Sequence, residues 1–313
     1  MSASPVPAQD LSFLWLEITA KCNLECQHCY ADSGPGRQLF GEMDTRDWLR
    51  VLVDAASLGC TQVQFIGGEP TLHPDLIEML SFASDKGFSF IEVFTNATHI
   101  NEELLKAFAK YSVHVAISFY SDAPATHDSI TKRHGSFERT VRNIKRMVEE
   151  KIPIRAGIIE TRLNSGHSPA AKCFLESLGI SDIKVDFERG IGRGNHKELS
   201  DNPMAELCGE CWKGKLCITP SGRAYPCVFS RFADLGSVKD GVSNLIGSDS
   251  LSQFRTVLRN YKLRQPCDPT CSPCGPDTFR ACSPDTRCAP GSADCMPKAS
   301  IPDCSPTCIP NRF

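Results

Sequence analysis

No apolar run in this chain approaches the roughly 18 residues that a membrane span requires, so no transmembrane helix is expected. The opening segment, MSASPVPAQD, lacks the basic stretch followed by an apolar stretch that marks a secretory signal. An excess of one charge is missing as well: 34 Lys and Arg face 37 Asp and Glu, a net charge of −3. Such a balance leaves no overall electrostatic footprint for nucleic acid. No internal repeat is visible beyond an alternation of strands and helices. These absences point to a cytoplasmic protein with neither a membrane nor a nucleic acid as partner.

Cysteine is what the chain has in excess, at 17 of 313 residues. An odd count without a signal peptide argues against a disulfide framework and for metal or cluster ligands. The distribution is uneven. Three cysteines lie between Cys22 and Cys29, Cys60 and Cys173 stand alone, and twelve fall between Cys208 and Cys308. Cys60 and Cys173 read as core thiols. A boundary near residue 200 follows. The last forty-odd residues are rich in Pro, Ser, Asp and Cys and carry almost no apolar periodicity, so clusters or crosslinks are what would order them.

Between residues 13 and 190 the pattern alternates six times. FLWLEIT reads as a strand, and DTRDWLRVLVDAASLG as a helix with Asp44 as its cap and a glycine stop. TQVQFIGG, SFIEVFTNAT, VHVAISFYS, IPIRAGIIE and IKVDFERG read as further strands separated by helical segments. That rhythm predicts parallel strands with crossover helices, whose chemistry sits at the carboxyl ends of the strands. Six units fall short of a closed eight-stranded barrel. The expected fold is therefore α/β: a tail over 1–12, a partial (β/α)6 TIM-like barrel over 13–200, and a loop-dominated, cysteine-rich domain over 201–313.

The loop after the first strand carries Cys22-x-x-x-Cys26-x-x-Cys29. Three thiolates within eight residues can wrap one corner of a [4Fe–4S] cubane and leave one iron open; they also suit zinc, completed by His28 or a remote ligand. The run Cys22-Asn23-Leu24-Glu25-Cys26-Gln27-His28-Cys29-Tyr30 closely resembles the signature of the radical S-adenosylmethionine (SAM) superfamily, and Gly67-Gly68-Glu69-Pro70 matches that family's GGEP motif. The resemblance implies a catalytic [4Fe–4S] cluster on Cys22, Cys26 and Cys29. It further implies SAM chelated at the open iron and cleaved by one electron to a 5′-deoxyadenosyl radical, and contact of the GGEP loop with the SAM amino group. The residue types agree. Glycines allow close backbone approach to a ligand, and Glu69 can accept from an ammonium. Ser118, Thr95 and Asn96 match strand-end positions of the SAM pocket, and Arg155 is assigned to the SAM carboxylate. Arg133 reads as a solvated loop charge, and His127 and His134 as flanking a loop after the fourth strand.

Further on, Cys217-x4-Gly222-x4-Cys227 suggests a hairpin that presents two thiolates to one cluster. With Cys208-x-x-Cys211 before it and Cys267-x-x-x-Cys271-x-x-Cys274 after it, this region resembles the SPASM or twitch extension of radical SAM enzymes, which implies one or two auxiliary iron–sulfur clusters. Cys282, Cys288 and Cys295 join the candidate ligands, while Cys304 and Cys308 have no assigned role. The spacing departs from the usual two-cluster pattern, and twelve cysteines exceed the eight that two cubanes need.

The resemblance implies a radical SAM oxidoreductase. The first expectation is modification of a ribosomally made peptide, by crosslink or epimerisation; the alternative is a dehydrogenase or decarboxylase acting on a sugar or nucleoside. A flavodoxin or ferredoxin is the expected electron donor. The chain starts almost directly at its first strand, so a winged-helix peptide-recognition domain is expected from a separate partner protein, if one is needed.

Overall fold

A computed structural model of the chain describes residues 11–195, 202–209, 211 and 213–263. The expectations placed on Cys267, Cys271, Cys274, Cys282, Cys288, Cys295, Cys304 and Cys308 lie outside the described residues. Six parallel strands form as the sequence predicts: β1 (Phe13–Thr19), β2 (Gln62–Gly67), β3 (Phe90–Thr95), β4 (His114–Phe119), β5 (Ile154–Glu160) and β6 (Asp182–Phe187). The crossovers are α1 (Thr45–Ser57), α2 (Leu76–Asp85), α3 (Glu102–Lys110), α4 (Pro124–Thr131) with α5 (Ser136–Glu149), and α6 (Ser168–Ser177). Asp44 caps α1, accepting from the Asp47 N–H while the Asp47 carboxylate accepts from the Asp44 N–H, a reciprocal box.

Alternation along each strand separates two apolar clusters. Leu14, Leu16, Val63, Phe65, Ile91, Val93, Val115 and Ile117 face the helices and pack with Trp48, Leu52, Met79, Leu80, Phe108 and Ile144. Trp15 and Ile66 face the inside of the curved sheet, together with Cys211, Cys217, Cys227 and Phe254. The polar side chains of the inner face, Glu17, Gln64 and Glu92, are buried there too.

The hairpin read around Ser221-Gly222 exists and does more than turn. Its first strand, β7 (Lys215–Ile218), pairs parallel with β1, setting Trp15 opposite Cys217. Then β8 (Arg223–Tyr225) and β9 (Gly236–Ser237) add antiparallel, giving one sheet of order β6-β5-β4-β3-β2-β1-β7-β8-β9 among the described residues. Sheet hydrogen bonding thus runs across the boundary expected near residue 200. Two helices, α7 (Val242–Ile246) and α8 (Asp249–Leu263), close the described part, and no helix there is long and apolar enough to cross a membrane.

Two expectations are corrected here. Cys173 lies on the exposed side of α6 rather than in the core, whereas Cys60 is buried. His127 is part of α4, buried among Phe119, Tyr120 and Phe137, with its Nδ1 3.1 Å from Ser136 Oγ. His134 stays on the exposed loop that follows.

Candidate active site

The cysteine loop leaves the carboxyl end of β1 and is held by backbone bonds on several sides. The Glu25 and Gln27 N–H groups donate to Thr131 O and Ile130 O at the end of α4, both at 3.1 Å. The Cys22 N–H donates to Gly34 O at 3.2 Å. All three sulfurs meet donors. The Leu24 N–H lies 3.4 Å from Cys22 Sγ, the Ser33 N–H 3.4 Å from Cys29 Sγ, and the Tyr120 hydroxyl 3.8 Å from Cys26 Sγ. Burial pushes the Cys22 thiol well up and the Cys26 thiol to about 12; the Glu69 carboxylate and the other two thiols add to the rise at Cys22, and Cys29 adds to it at Cys26. A free thiolate is therefore costly in this loop. Cluster iron would supply the compensating positive charge, and N–H groups aimed at sulfur are what a ligated thiolate would accept. The donor set fits a cluster held by three cysteines.

The GGEP loop sits against that loop for a reason the sequence alone conceals. A Cβ on Gly68 would fall 2.1 Å from Lys21 O, and one on Gly67, at φ +132°, 2.3 Å from Thr19 O. The glycines make room for the chain's own β1 exit. The Gly68 and Glu69 N–H groups donate to Thr19 O and Lys21 O at 2.7 and 2.8 Å. Glu69 is wholly buried. Its Oε1 accepts from Thr71 N, Thr71 Oγ1 and Thr95 Oγ1, and its Oε2 from the Asn96 N–H at 2.8 Å. Burial raises its pKa against the pull of these bonds. The carboxylate is thus a knot joining β2 to β3, with four donors already upon it. Pro70 begins the one-turn 3-10 segment Pro70–Leu72 that Glu69 caps.

Asn96 completes the link. Its Nδ2 donates to Asn23 Oδ1 at 2.9 Å and lies 3.7 Å from Cys22 Sγ. Gly67, Gly68, Glu69, Pro70, Thr95 and Asn96 are thereby brought together beside the cysteine loop. Ser118, on β4, bonds the Tyr120 hydroxyl that reaches Cys26. His28 is half-buried edge-on to Tyr120 at 5.0 Å, its Nδ1 has no partner among the described residues, and desolvation lowers its pKa to about 4. It enters the site as a neutral imidazole.

Arg155, assigned from the sequence to the SAM carboxylate, is paired with Glu92. It stands near the amino end of β5, and its Nε and Nη2 donate to the two oxygens of Glu92 at 2.7 and 2.8 Å. Glu92 is 2% exposed and also accepts from Gln64. A buried carboxylate without a cation is costly, and this guanidinium answers that need. Arg133 is exposed, as expected.

Sequence reasoning missed the segment after β6, Gly190-Ile191-Gly192-Arg193-Gly194. The Arg193 N–H donates to Cys29 O at 3.0 Å, its Nε to Cys26 O at 2.9 Å, and its Nη1 to Asp32 Oδ1 at 3.0 Å. Gly192, at φ +61°, packs so closely that a Cβ would fall 2.4 Å from Cys29 O. The available signal was the run of three glycines following a strand. A cavity of about 320 Å³ opens here, lined by Ile191, Gly192, Glu206, Phe229, Arg231 and Phe232. A larger one of about 500 Å³ lies at the amino ends of β3–β5, around Phe90, Glu92, His114 and Arg155. It is at the opposite end of the strands from the cysteine loop.

The second group of thiols surrounds the hairpin. Cys211 Sγ lies 3.1 Å from Cys227 Sγ, and Cys208 bonds Cys211. Cys217 feels the charge of Cys227 and is pushed up by burial.

A parallel sheet thus carries a three-thiol loop at the carboxyl end of its first strand and four more thiols around an added hairpin. The comparisons name the family. Residues 16–160 match the radical SAM superfamily and residues 208–275 the iron–sulfur cluster-binding SPASM domain. The chain thus carries a radical SAM domain followed by a SPASM domain. The first implies SAM and a catalytic [4Fe–4S] cluster, the second auxiliary clusters.

The antilisterial bacteriocin subtilosin biosynthesis protein AlbA of Bacillus subtilis is 27% identical over 260 residues, 71% of this chain and 56% of AlbA. The Fe-coproporphyrin III synthase of Methanosarcina barkeri is 29% identical over 190 residues, 60% of this chain and 47% of the synthase. The chain spans about half the length of these curated relatives. Streptococcus suis SuiB has been solved bound to SAM and bound to the precursor peptide SuiA. Both structures superpose with a TM-score of 0.64 at 16% and 14% identity, covering 92% of this chain and 78% and 76% of SuiB.

Proposed function

We propose that this chain cleaves SAM reductively and uses the resulting radical to abstract hydrogen from a ribosomally made peptide, leaving a crosslinked or epimerised product. The observation that carries the reading is the junction of the cysteine and GGEP loops, where Asn96 touches both Cys22 Sγ and the Glu69 carboxylate. SAM bound at a three-cysteine cluster supplies a 5′-deoxyadenosyl radical on reduction. The chain's own contribution is positional. Tyr120, Leu24 and Ser33 steady the ligating sulfurs, Glu69 fixes the backbone of the SAM loop, and neutral His28 offers Nδ1 as a partner without adding charge. Ser118 joins the pocket wall through Tyr120. Cys22, Cys26 and Cys29 would hold the catalytic cluster. Cys208, Cys211, Cys217 and Cys227 would hold an auxiliary one, with the later cysteines left for a second.

The peptide substrate class is supported by AlbA, named for bacteriocin biosynthesis, and by SuiB, solved with its precursor peptide. The 320 Å³ cavity beside Gly192, lined by Glu206 and Arg231 as well as Phe229 and Phe232, would admit a polar peptide side chain. A flavodoxin or ferredoxin would supply the electron, and a separate peptide-recognition protein would deliver the substrate. The Fe-coproporphyrin III synthase match favours a second reading, a small-molecule substrate.

The test is anaerobic reconstitution, reduction with dithionite and assay for 5′-deoxyadenosine, alone and with short peptides encoded beside the gene. SAM cleavage with a mass change in one such peptide is expected. Absence of 5′-deoxyadenosine would sink the whole reading; cleavage that no peptide stimulates, but a sugar, nucleoside or porphyrin does, would move it to small-molecule chemistry.

A further inference from the structure

We infer that Arg231 and Glu17 form a buried charge pair that sets the reduction potential of the auxiliary cluster, an inference that rests on the reading of Cys217 as a ligand of that cluster. Register places the three groups together. β1 and β7 pair in parallel with Trp15 opposite Cys217, so Glu17 lies two residues further along the same inner face. Glu17 is 4% exposed. Its Oε1 lies 3.8 Å from Cys217 Sγ and accepts a short bond from Arg231 Nη2, while Arg231 Nη1 lies 3.9 Å from the same sulfur. The guanidinium also sits over the Tyr225 ring, 4.9 Å from its centre, and Tyr225 is the residue opposite Cys217 in the hairpin. Arg231 is therefore held by a barrel strand, a hairpin ring and the sulfur itself.

Charge explains why both partners are needed. A ligating Cys217 is a thiolate, and Glu17 would set a second buried anion beside it. Two such anions repel strongly in a poorly solvated interior. Arg231 is the cation placed against both. An N–H donor and positive charge at a ligating sulfur favour the more negative, reduced cluster and raise its potential; a nearby carboxylate lowers it. Arg231 and Glu17 thus act through Cys217 in opposite senses. They are positioning residues and touch neither SAM nor substrate. The pair also ties the auxiliary hairpin to β1, so the medium around this cluster depends on a residue of the barrel.

The experiment uses the full chain, reconstituted anaerobically, with Cys22, Cys26 and Cys29 changed to Ala so that only auxiliary signals remain. Iron and sulfide are counted, and an EPR-monitored redox titration is run for that background and for added R231M, R231K and E17Q. Cys217→Ser identifies the signal: it should remove one auxiliary species. If it removes none, the ligand reading falls and the inference with it. With the species identified, R231M should lower its midpoint potential, E17Q should raise it, and R231K should lie closest to the parent. Opposite signs are the signature, since a merely structural pair would lose cluster from both variants without moving the potential of what remains. If R231M holds no cluster, E17Q and R231K decide alone. An unmoved or lowered potential in E17Q, with Cys217→Ser still removing the species, overturns the inference and spares the ligand reading.

Discussion

Arg193 Nε donates to the carbonyl oxygen of Cys26 at 2.9 Å, and this bond joins the segment after β6 to the loop that leaves β1. The Arg193 N–H holds Cys29 O as well, and its Nη1 holds Asp32. The cysteine loop is thus clamped on a side that its own motif does not describe. Partners that orient ligands typically carry about 10–100-fold in metal affinity or activity. Arg193→Met should therefore cut 5′-deoxyadenosine formation by about tenfold or more, with iron bound by the catalytic loop falling in parallel. Arg193→Lys, which keeps the charge but not the fork, should fall between. Wild-type iron content and rate in Arg193→Met would show that the clamp is incidental.

Gly68→Ala probes the opposite edge of the same loop. The added methyl would fall 2.1 Å from Lys21 O, so the bonds from the Gly68 and Glu69 N–H groups to Thr19 and Lys21 must stretch. Overpacking of this kind costs about 1–3 kcal/mol. Thermal unfolding should register that loss, and SAM affinity should fall because the loop moves against the cysteines. An alanine variant with unchanged melting temperature and SAM binding would contradict the packing described.

Glu69→Gln separates the carboxylate's structural work from ligand contact. Three donors meet Oε1 and one meets Oε2. An amide can keep the Oε1 side, but its NH2 then opposes the Asn96 N–H, donor against donor. The expected loss is about 1–3 kcal/mol, measured by urea unfolding of the cluster-free chain, where SAM contributes nothing. If stability is unchanged there and only SAM binding suffers, the carboxylate's role lies with the ligand.

Much of this arrangement was legible. The parallel strands followed from the six-fold alternation, the α1 boundary from Asp44, and the hairpin from Ser221-Gly222. The cysteine and GGEP loops met because parallel strands deliver their carboxyl ends to one side. What remained hidden depended on distances across the sheet. GGEP glycines read as ligand-facing because nothing local shows that β1 exits beneath them. Arg193 lies more than 160 residues from Cys26 and has no motif of its own. Arg155 looked available because Glu92, its partner, sits two strands away. Glu17 carries no motif of its own, and only the β1–β7 register reveals Cys217 beside it.

Arg155→Gln follows from its pairing with Glu92. Removing the guanidinium leaves a carboxylate that is 2% exposed with Gln64 as its remaining side-chain donor among the bonds described. Breaking a buried pair from one side costs about 3–5 kcal/mol; the partial exposure of Arg155 places the expectation at the lower end. SAM affinity of the folded fraction should stay within about twofold, because a structural ion pair carries no ligand contact. A large loss of SAM binding at full stability would return Arg155 to the SAM carboxylate.

His127 supplies a pH dependence with a definite sign. Burial lowers its pKa to about 4 from an ordinary value of 6.5. Above pH 6.5 the imidazole is neutral in both folded and unfolded chains and its contribution is fully present. As pH falls from 6.5 towards 4, the unfolded chain takes up a proton that the folded one refuses, so stability drops at up to about 1.4 kcal/mol per pH unit. His127→Phe fills the same aromatic niche beside Phe119, Tyr120 and Phe137 and leaves Ser136 Oγ bonded to Asp128. Its unfolding free energy should therefore change less between pH 7 and pH 5 than that of the wild type, by about 2 kcal/mol. Parallel pH profiles for the two proteins would mean that His127 is protonated in the fold, and that the buried, neutral imidazole between α4 and α5 is misassigned.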